Sequence, residues 1–385
     1  MTAGRPAWAE VDLDAVAANV ATMSAVAAPA VLCAVVKADG YGHGGVPVAR
    51  AALAAGASWL AVAMAGEAAV LRSAGITAPV LVLSEASPTE LDAVVALGLR
   101  ATVYSAAGID ALARAVARAG AEPLAVHLKV DTGMHRVGAD PADALALART
   151  VAERPELLLE GVWTNCAVAD EPGHPFTAVQ AGCFDTVVAE LAAADLRPPL
   201  VHAANSAAVL DRPGLHHDLV RCGITLYGLD PSPALHGRVA LRPALSLRAE
   251  VSWVRVVPAG DGVSYGLRHR CAVDTVVATV PLGYADGVPR RLGEVGAKVL
   301  VGGRRRPVAG TVTMDQLLVD CGPPDPDTTV AVGDEVVLLG SQGDQRVGAD
   351  EWADRLATIP YEVVCAISAR VPRRYVGAAA GLIDG

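Results

Sequence analysis

Aromatic residues are scarce in this sequence, which limits what its core can contain. Phe, Trp and Tyr make up 4% of the 385 residues, whereas hydrophobic residues as a whole make up 53%. The chain is long enough to bury a large core, but that core must be built mostly from Ala, Val and Leu. Since the length exceeds that of a typical single domain, the sequence predicts two domains.

Cysteine, histidine and basic residues are each arranged in a way that excludes a class of protein. The seven cysteines contain no C-x-x-C pair, which predicts a reducing compartment and no structural zinc. No two histidines have the H-x-x-x-H spacing of a helical metal site, so we predict no metal. Lys and Arg number 31 against 41 Asp and Glu, a net charge of −10, which argues against a nucleic-acid partner.

Long hydrophobic runs are also missing. Prolines and charges interrupt every apolar stretch before it reaches the length that spans a bilayer. The N-terminal stretch, MTAGRPAWAEVDLDAV, has no cationic segment followed by an apolar one, as a secretory leader would. We therefore predict a cytoplasmic protein with no membrane partner.

The most informative stretch is VLCAVVKADGYGHG, residues 31–44. Its first half is a short apolar run with β-branched residues, which is typical of a fully buried strand. Lys37 ends this strand and leads into a glycine-rich turn. Poor solvation there favours the neutral amine, the nucleophile of Schiff-base chemistry. The alternative is a surface lysine that merely ends a strand, so the rest of the chain must decide.

Eight apolar segments alternate with helical patterns such as Ala106–Ala119 over residues 1–237. This alternation favours a parallel, TIM-like (β/α)8 barrel over a doubly wound open sheet, with residues 1–13 as an extra strand. The predicted barrel strands are one that begins at Val31, followed by Ser58–Ala63, Val80–Leu83, Ala101–Tyr104, Leu124–Val130, Leu159–Thr164, Leu200–Ala203 and Leu219–Cys222.

Residues 238–385 have a different texture, in which short Val-rich strands alternate with Gly, Pro and Asp turns. This pattern predicts a smaller, mostly β domain that includes a strand at Leu247–Val257 and a short helix at Glu351–Ala357. In the first domain, the unusual polar residues follow the strands: Lys37, Lys129 to Arg136, Asn165, Asn205-Ser206 and Arg221 to Ile224. The carboxyl ends of barrel strands are where enzymes of this architecture build their active sites.

Eight segments, in order and in register from one end to the other, resemble those of alanine racemases, pyridoxal-phosphate enzymes with a barrel followed by a β domain. The segments are AVVKADGYGHG (34–44), LKVDTGMHRVG (128–138), HAANSAAVL (202–210), VRCGITLYGLDP (220–231), VSYG (263–266), PLGYADGVPRR (281–291), GTVTMDQLLVD (310–320) and TIPYEVVCAISARVPR (358–373).

The resemblance implies a two-base racemase that interconverts L-alanine and D-alanine. Lys37 would hold pyridoxal 5'-phosphate and act as one catalytic base. Tyr265 would be the second base, contributed by the other subunit of a homodimer with shared active sites. Two groups on opposite faces of the substrate make chemical sense, because inversion needs one proton removed and another delivered.

The resemblance also implies how the cofactor and the substrate are bound. Arg221 would hydrogen-bond the pyridine nitrogen, and His202 would link this arginine toward Tyr265. Arg136 would lie near the ring oxygen and the substrate carboxylate, oriented by a carbamylated Lys129. The residues implied for the cofactor phosphate and its surroundings are Tyr41, Asn205, Ser206, Gly223, Ile224 and Tyr361, and those implied for the substrate are Met314, Asp315 and Tyr284.

The match breaks at one place, where the family usually has His-Phe and this chain has Asn165-Cys166. Asn165 lacks an aromatic face and cannot carry charge, and Cys166 is smaller than Phe. We therefore keep open a slower racemase or one adapted to a larger amino acid. A related barrel pyridoxal decarboxylase is a rival enzyme, although such an enzyme typically presents an acidic residue to the pyridine nitrogen. A cofactor-binding protein with little activity is the rival outside catalysis.

Overall fold

The structure is a computed structural model that describes residues 5–325 and 330–382. It divides into two compact units: a barrel unit, Asp14–Arg242, and a β unit formed by the segment up to Leu13 together with Pro243–Ala380. No helix in the described residues is long and apolar enough to cross a membrane. The same residues contain no group of three or more His, Cys, Asp or Glu side chains that could hold a metal ion.

The barrel unit is a nearly closed eight-stranded parallel sheet surrounded by helices, which confirms the predicted fold. The first seven strands pair in chain order, each with the next, and the eighth pairs with the first. Between the seventh and eighth strands, the parallel bridge Asn205↔Arg221 completes the circle. The barrel strands are Val31–Val35, Trp59–Val62, Val80–Glu85, Arg100–Val103, Leu124–Lys129, Leu157–Trp163, Leu200–His202 and Leu219–Cys222.

The helices of the barrel unit follow the predicted pattern. Ala106–Ala119 has the predicted bounds, with Ser105 as its N-cap and Gly120 in the left-handed conformation at its end. The core between helices and strands consists mainly of Ala, Val and Leu, as the scarcity of aromatics requires. The helices are Leu13–Ala27, Gly45–Ala54, Ala65–Ser73, Leu91–Ala96, Ala106–Ala119, Ala144–Ala152, Phe176–Ala193 and Ser206–Asp211. The segment Lys37–Tyr41 is a single turn with left-handed backbone at Ala38, Asp39 and Gly40.

The β unit contains one large and one small sheet and a two-stranded hairpin. In order across the large sheet, the strands are Arg304–Pro307, Lys298–Val301, Glu335–Gln342, Leu245–Glu250, Ala7–Asp12 and Arg373–Val376, with Gln345–Val347 paired to Glu335–Gln342. The small sheet contains Trp253–Val257, Thr275–Val280 and Leu317–Asp320, and the hairpin contains Gly262–Val263 and His269–Arg270. The helices are Ala349–Leu356 and Pro360–Cys365.

Two predictions about this unit differ from the structure. Residues 1–13 were predicted to belong to the barrel domain, but the strand Ala7–Asp12 pairs with Leu245–Glu250 in the large sheet of the β unit. The predicted strand Leu247–Val257 is two strands, because the chain passes from one sheet to the other at Val251 and Ser252. There the Val251 N–H donates to the carbonyl of Asp334, and the Ser252 N–H donates to that of Thr279.

Candidate active site

Lys37 follows the first barrel strand and opens a tight left-handed turn. Four consecutive residues have φ between 51° and 60°: Ala38, Asp39, Gly40 and Tyr41. Three of them are not glycine, and such backbone costs free energy unless its surroundings hold it. Asp39 Oδ1 accepts from the Gly45 N–H at 2.7 Å, and Glu67 Oε1 accepts from the Ala38 N–H at 2.6 Å. The predicted glycine-rich turn is therefore a strained segment fixed by two carboxylates.

Lys129, the last residue of the fifth barrel strand, is the centre of a group of cations. The residue as a whole is only 4% exposed. Burial and, to a smaller extent, the charges of Arg136, Arg221 and Lys37 together lower the pKa of Lys129 from 10.5 to about 7, against the opposing effect of Asp131. About half of the Lys129 amines are therefore neutral near pH 7. The positive potential of this group suits an anionic ligand.

Trp163 lies beside two of these cations. It is the register partner of Lys129 on the sixth strand. The centroid of its ring lies 4.3 Å from Lys129 Nζ and 4.6 Å from Arg221 Cζ, within the range of a cation–π contact. Its ring also stacks on His202, with centroids 5.6 Å apart and planes inclined by 8°. Trp163 thus packs against three charged or polar groups of the site.

Arg221, in the eighth strand, is 4% exposed and held from several sides. Its Nη2 donates to the carbonyls of Thr164 at 2.8 Å and Ala203 at 3.1 Å, and its Nη1 donates to His202 Nδ1 at 2.8 Å. Burial lowers the pKa of Arg221 to about 10, so the guanidinium remains charged at neutral pH. Among the described residues no acceptor is found for its Nε–H, which leaves this donor for a ligand such as a ring nitrogen.

His202 is engaged through both of its ring nitrogens. Its Nδ1 accepts from Arg221, and its Nε2 lies 2.9 Å from His127 Nδ1, two strands away in the barrel sheet. The histidine therefore belongs to a buried hydrogen-bonded path, while its implied link toward Tyr265 of a second subunit stays a prediction.

Of the residues implied for the phosphate, Tyr41, Ser206, Gly223 and Ile224 form a compact group within the barrel unit, whereas Tyr361 belongs to the β unit. A Cβ added to Gly223 would lie 2.4 Å from Tyr41 Oη, so the tyrosine hydroxyl rests directly on this glycine. Ser206 Oγ accepts from the Gly223 N–H at 2.8 Å and from Thr225 Oγ1 at 3.2 Å. Because Ser206 already accepts twice, its own proton is available to an anion. Ile224 begins a 3-10 turn, whose first N–H groups have no acceptor within the turn.

Asn205 and Ser206, which the resemblance assigns together to the surroundings of the cofactor, make different contacts. Asn205 is the N-cap of the helix Ser206–Asp211, because its Oδ1 accepts from the N–H groups of Ala207 at 3.1 Å and Ala208 at 3.0 Å. Ser206 is the first helical residue, and its hydroxyl faces Gly223. The capping side chain of Asn205 therefore positions Ser206, and the serine hydroxyl takes no part in the cap.

Asn165, which stands where the family usually has histidine, contacts Arg221 through a weak hydrogen bond. Its Oδ1 accepts from Arg221 Nη2 at 3.4 Å, while its Nδ2 lies 3.3 Å from Met134 Sδ and donates to the Cys166 carbonyl at 3.2 Å. Cys166 is buried, and burial raises the pKa of its thiol. Neither side chain adds a charge to the site.

The remaining predicted residues belong to the β unit. Tyr265 lies in a loop where Ser264, Gly266 and Leu267 have positive φ. The loop is held by Thr311, whose Oγ1 donates to the Tyr265 carbonyl at 3.1 Å and whose carbonyl accepts from Ser264 Oγ at 2.6 Å. The backbone of Tyr265 is thus fixed, while the whole residue is 72% exposed.

Tyr284, Met314 and Asp315 form a second loop cluster. The N–H of Tyr284 donates to the Thr313 carbonyl, and that of Ala285 donates to the Met314 carbonyl. Asp315 Oδ1 accepts from Arg370 Nη2 at 2.7 Å. Tyr284 is 41% exposed and Met314 53% exposed, whereas Tyr361 is the second residue of the helix Pro360–Cys365 and is half-buried.

Sequence reasoning missed three residues of the barrel site: His127, Glu160 and Trp163. His127 stands two residues before Lys129 on the same strand. Since side chains at i and i+2 share a face of a strand, the spacing was a signal that His127 points the same way as Lys129.

The fold and this arrangement of charges define a barrel enzyme whose polar residues gather at the carboxyl ends of the strands. Residues 11–231 match the family model described as alanine racemase, N-terminal domain, and residues 244–375 match alanine racemase, C-terminal domain. The chain therefore belongs to the alanine racemase family and is an isomerase.

Individual relatives agree with this assignment. The chain is 49% identical to an alanine racemase of Symbiobacterium thermophilum over 97% of this chain and 98% of the relative. The crystal structure of alanine racemase from Streptomyces lavendulae is 41% identical and covers 98% of each chain with a TM-score of 0.92. A histidine racemase from Leuconostoc mesenteroides subsp. sake is 29% identical and covers 98% of this chain and 99% of its own, with a TM-score of 0.89.

Proposed function

We propose that this protein is a pyridoxal 5'-phosphate-dependent alanine racemase that acts as a homodimer with shared active sites. The observation that carries the proposal is the group of Lys37, Lys129, Arg136 and Arg221 beside the hydroxyl and N–H groups near Gly223. We also propose a cytoplasmic location, since all seven cysteines are free thiols.

The residues of the barrel unit fit this cofactor. The proton of Ser206, the hydroxyl of Tyr41 and the N–H groups at the start of the Ile224 turn suit a phosphate dianion. The Nε–H of Arg221 suits the pyridine nitrogen, and the amine of Lys37 suits the cofactor aldehyde. When bound, the cofactor supplies a conjugated ring that spreads the electron pair left when the α-proton departs.

Arg221 determines how far the ring can take up charge. A guanidinium with a pKa of about 10 donates a hydrogen bond but does not release its proton at neutral pH. The ring nitrogen then stays unprotonated, which limits charge uptake and disfavours side reactions such as transamination. This choice of residue favours racemisation over a decarboxylase-type site with an acidic partner.

Lys37 and Tyr265 would exchange protons with the substrate α-carbon on its two faces. A proton removed by one group and delivered by the other inverts the configuration, and the reverse direction exchanges their roles. Tyr265, Tyr284 and Met314 are exposed in the single chain. Exposed apolar side chains on fixed loops are typical of surfaces that meet a partner, which supports a second subunit as the recipient of Tyr265.

Lys129 has the chemistry that carbamylation requires. The neutral amine attacks carbon dioxide, an N–C bond forms as one C–O π bond breaks, and one proton leaves to water, so that a neutral amine becomes an anionic carbamate. Burial already makes the cation unfavourable at this position, since the pKa of Lys129 is about 7. The resulting carbamate would offer acceptors to Arg136 and orient it toward the carboxylate of a substrate.

An exchange experiment in deuterium oxide tests the proposed function. We expect purified protein with pyridoxal phosphate to incorporate one α-deuterium into L-alanine and to invert it without loss of carboxylate. Borohydride reduction followed by peptide mapping should place the cofactor on Lys37. Carboxylate loss would indicate a decarboxylase, and cofactor binding without exchange would indicate a protein with little catalytic activity.

A second candidate is a racemase for a larger amino acid. It is supported by the small side chains of Asn165 and Cys166 and by the similarity to a histidine racemase. Inversion assays over a panel of L-amino acids decide between the two. A kcat/KM for histidine or another large substrate above that for alanine would replace alanine in the proposal.

A further inference from the structure

A chain of hydrogen bonds runs from Arg221 into the interior of the barrel. Arg221 Nη1 lies 2.8 Å from His202 Nδ1, and His202 Nε2 lies 2.9 Å from His127 Nδ1. His127 Nε2 lies 3.1 Å from Glu160 Oε2, which also accepts from Arg100 Nε at 3.3 Å. Five strands thus contribute one link each, and both histidines are completely buried.

The direction of every proton in this chain follows from its first member. Arginine can only donate, so His202 Nδ1 must be an unprotonated acceptor and its proton must be on Nε2. That proton points to His127 Nδ1, which must also be an acceptor, so His127 carries its proton on Nε2. The last donor therefore meets Glu160, an acceptor-only carboxylate. One tautomer of each histidine satisfies all the bonds.

The charges agree with this assignment. Burial lowers the pKa of His127 and lowers that of His202 well below its ordinary value, with Arg221 contributing to both, so both rings stay neutral. Burial raises the pKa of Glu160, but the hydrogen bond from His127 and the charge and hydrogen bond of Arg100 outweigh it and keep Glu160 ionised. The carboxylate nearest to Arg221 along this path is thus two neutral rings away.

We propose that His127 and Glu160 are positioning residues for Arg221, which they control by fixing His202 with its proton on Nε2. A carboxylate in direct contact would orient the guanidinium but neutralise its charge. The neutral imidazole of His202 orients it and leaves the charge available to the site. The inference rests on the proposed role of Arg221 as the donor to the cofactor ring.

Gly161 and Trp59 fix the position of His127 in the chain of hydrogen bonds. A Cβ at Gly161 would lie 2.3 Å from His127 Nδ1, so only glycine lets the ring approach His202 here. Trp59 packs against the other side of His127, with ring centroids 5.5 Å apart at 62°. The substitution Gly161→Ala therefore displaces His127 without removing any hydrogen-bonding group. Gly182→Ala is its matched control, since a Cβ there meets nothing within 4 Å.

The test combines these variants with His127→Phe, the more conservative His127→Gln and the control His216→Phe. His216 is also buried, and its Nε2 donates to the Val209 carbonyl, outside this chain of hydrogen bonds. We expect His127→Phe and Gly161→Ala to weaken pyridoxal-phosphate binding by about tenfold, the effect of one lost buried hydrogen bond. His127→Gln, which can accept from His202 and donate to Glu160, should recover most of this affinity. The two controls should leave it unchanged.

Histidine-selective ¹⁵N NMR provides a readout that is independent of catalysis. In the wild-type protein we expect both His202 and His127 to show a protonated Nε2 and an unprotonated Nδ1 across pH 6–8. In His127→Phe and Gly161→Ala, the His202 Nδ1 signal should shift or broaden. If the His202 signals and cofactor affinity stay as in the wild type in both variants, the positioning role is wrong. A wild-type protein with the expected tautomers but no cofactor binding would instead refute the proposed function alone.

Discussion

The barrel site and the Tyr265 loop place the side chains of the proposed chemistry by opposite means. Lys129, His202 and Arg221 are 4%, 0% and 4% exposed, and neighbouring strands fix the direction of their side chains. Tyr265 is 72% exposed, and the hydrogen bonds of its loop fix the backbone while leaving the ring in solvent. One part of the chemistry is therefore arranged inside a single unit, and the other is presented outward on a strained loop.

This difference indicates which substitutions should change activity without changing the stability of the fold. Changes among the buried barrel residues alter packing and electrostatics together, because each side chain serves its neighbours. A change to the exposed phenol of Tyr265 removes a chemical group and leaves the fold intact. Substitutions in the barrel site therefore test packing and electrostatics together, whereas a substitution of Tyr265 tests one chemical group.

The largest effect is expected from Lys37→Ala and Tyr265→Phe, each of which removes one of the two proposed bases. We expect each to reduce racemisation by at least about 10³-fold. Tyr265→Phe should still exchange the α-proton of one enantiomer in deuterium oxide, because Lys37 remains. Proton NMR with chiral analysis separates exchange from inversion.

Mixing the two inactive variants tests whether a site contains residues of two chains. After unfolding and refolding an equal mixture, half of the dimers are mixed, and each holds one intact site, so about one quarter of the wild-type activity should return. Refolding each variant alone is the control. A mixture as inactive as its components would contradict the outward presentation of Tyr265 to a partner.

The next effect concerns the contact between Tyr41 and Gly223. Gly223→Ala should push the tyrosine hydroxyl away from the phosphate group and raise the dissociation constant of pyridoxal phosphate by about 10- to 100-fold. Saturating cofactor should restore much of the activity, since no base is lost. Gly214→Ala, where a Cβ meets nothing within 4 Å, is the control. An equal affinity of both variants for pyridoxal phosphate would show that Tyr41 does not bind the cofactor.

Lys129 provides a prediction about pH. The folded protein releases the Lys129 proton near pH 7 and the unfolded chain near 10.5, because burial and neighbouring cations lower the folded pKa. Between these values the unfolded state binds more protons, so stability rises with pH. Relative to Lys129→Gln, the slope should reach about 1.4 kcal/mol per pH unit. Denaturant unfolding in carbon dioxide-free buffer at pH 6–9.5 measures it, and parallel curves for the two proteins would contradict a buried cation.

Bicarbonate extends the test of Lys129. Adding it above pH 7 should produce a mass increase of the intact protein and a ¹³C signal from labelled bicarbonate, both absent in Lys129→Gln. A wild-type protein that gains neither would leave Lys129 an unmodified amine.

The smallest effect is expected from Asn165→His. A histidine there would restore an aromatic face and a titratable group beside Arg221, and we expect turnover of the preferred amino acid to rise a few-fold, about 1 kcal/mol or less. Asn165→Gln is the matched control, because it keeps the amide. If the histidine variant is no faster than wild type on any tested amino acid, the hypothesis that Asn165 slows turnover is wrong.

Several elements were predictable because their cause is local. The helix Ala106–Ala119 has its capping serine and terminal glycine in the sequence, and the apolar runs of the barrel strands are typical of strands buried on both faces. Lys37, Lys129, Asn165 and Arg221 could be selected because each lies at or just after the carboxyl end of a predicted strand. The turn after Lys37 was predicted to be rich in glycine, but its run of left-handed residues depends on Glu67, 29 residues further along the chain.

The amino-acid sequence by itself determined the barrel, the mostly β second unit and the polar residues at the strand ends, because periodicity and short motifs record what each segment buries. Only the tertiary structure decided which sheet receives Ala7–Asp12, where Leu247–Val257 divides, and that His202 bonds His127. These outcomes depend on partners far away along the chain. A strand or an imidazole can satisfy its hydrogen bonds with several partners, and packing selects one.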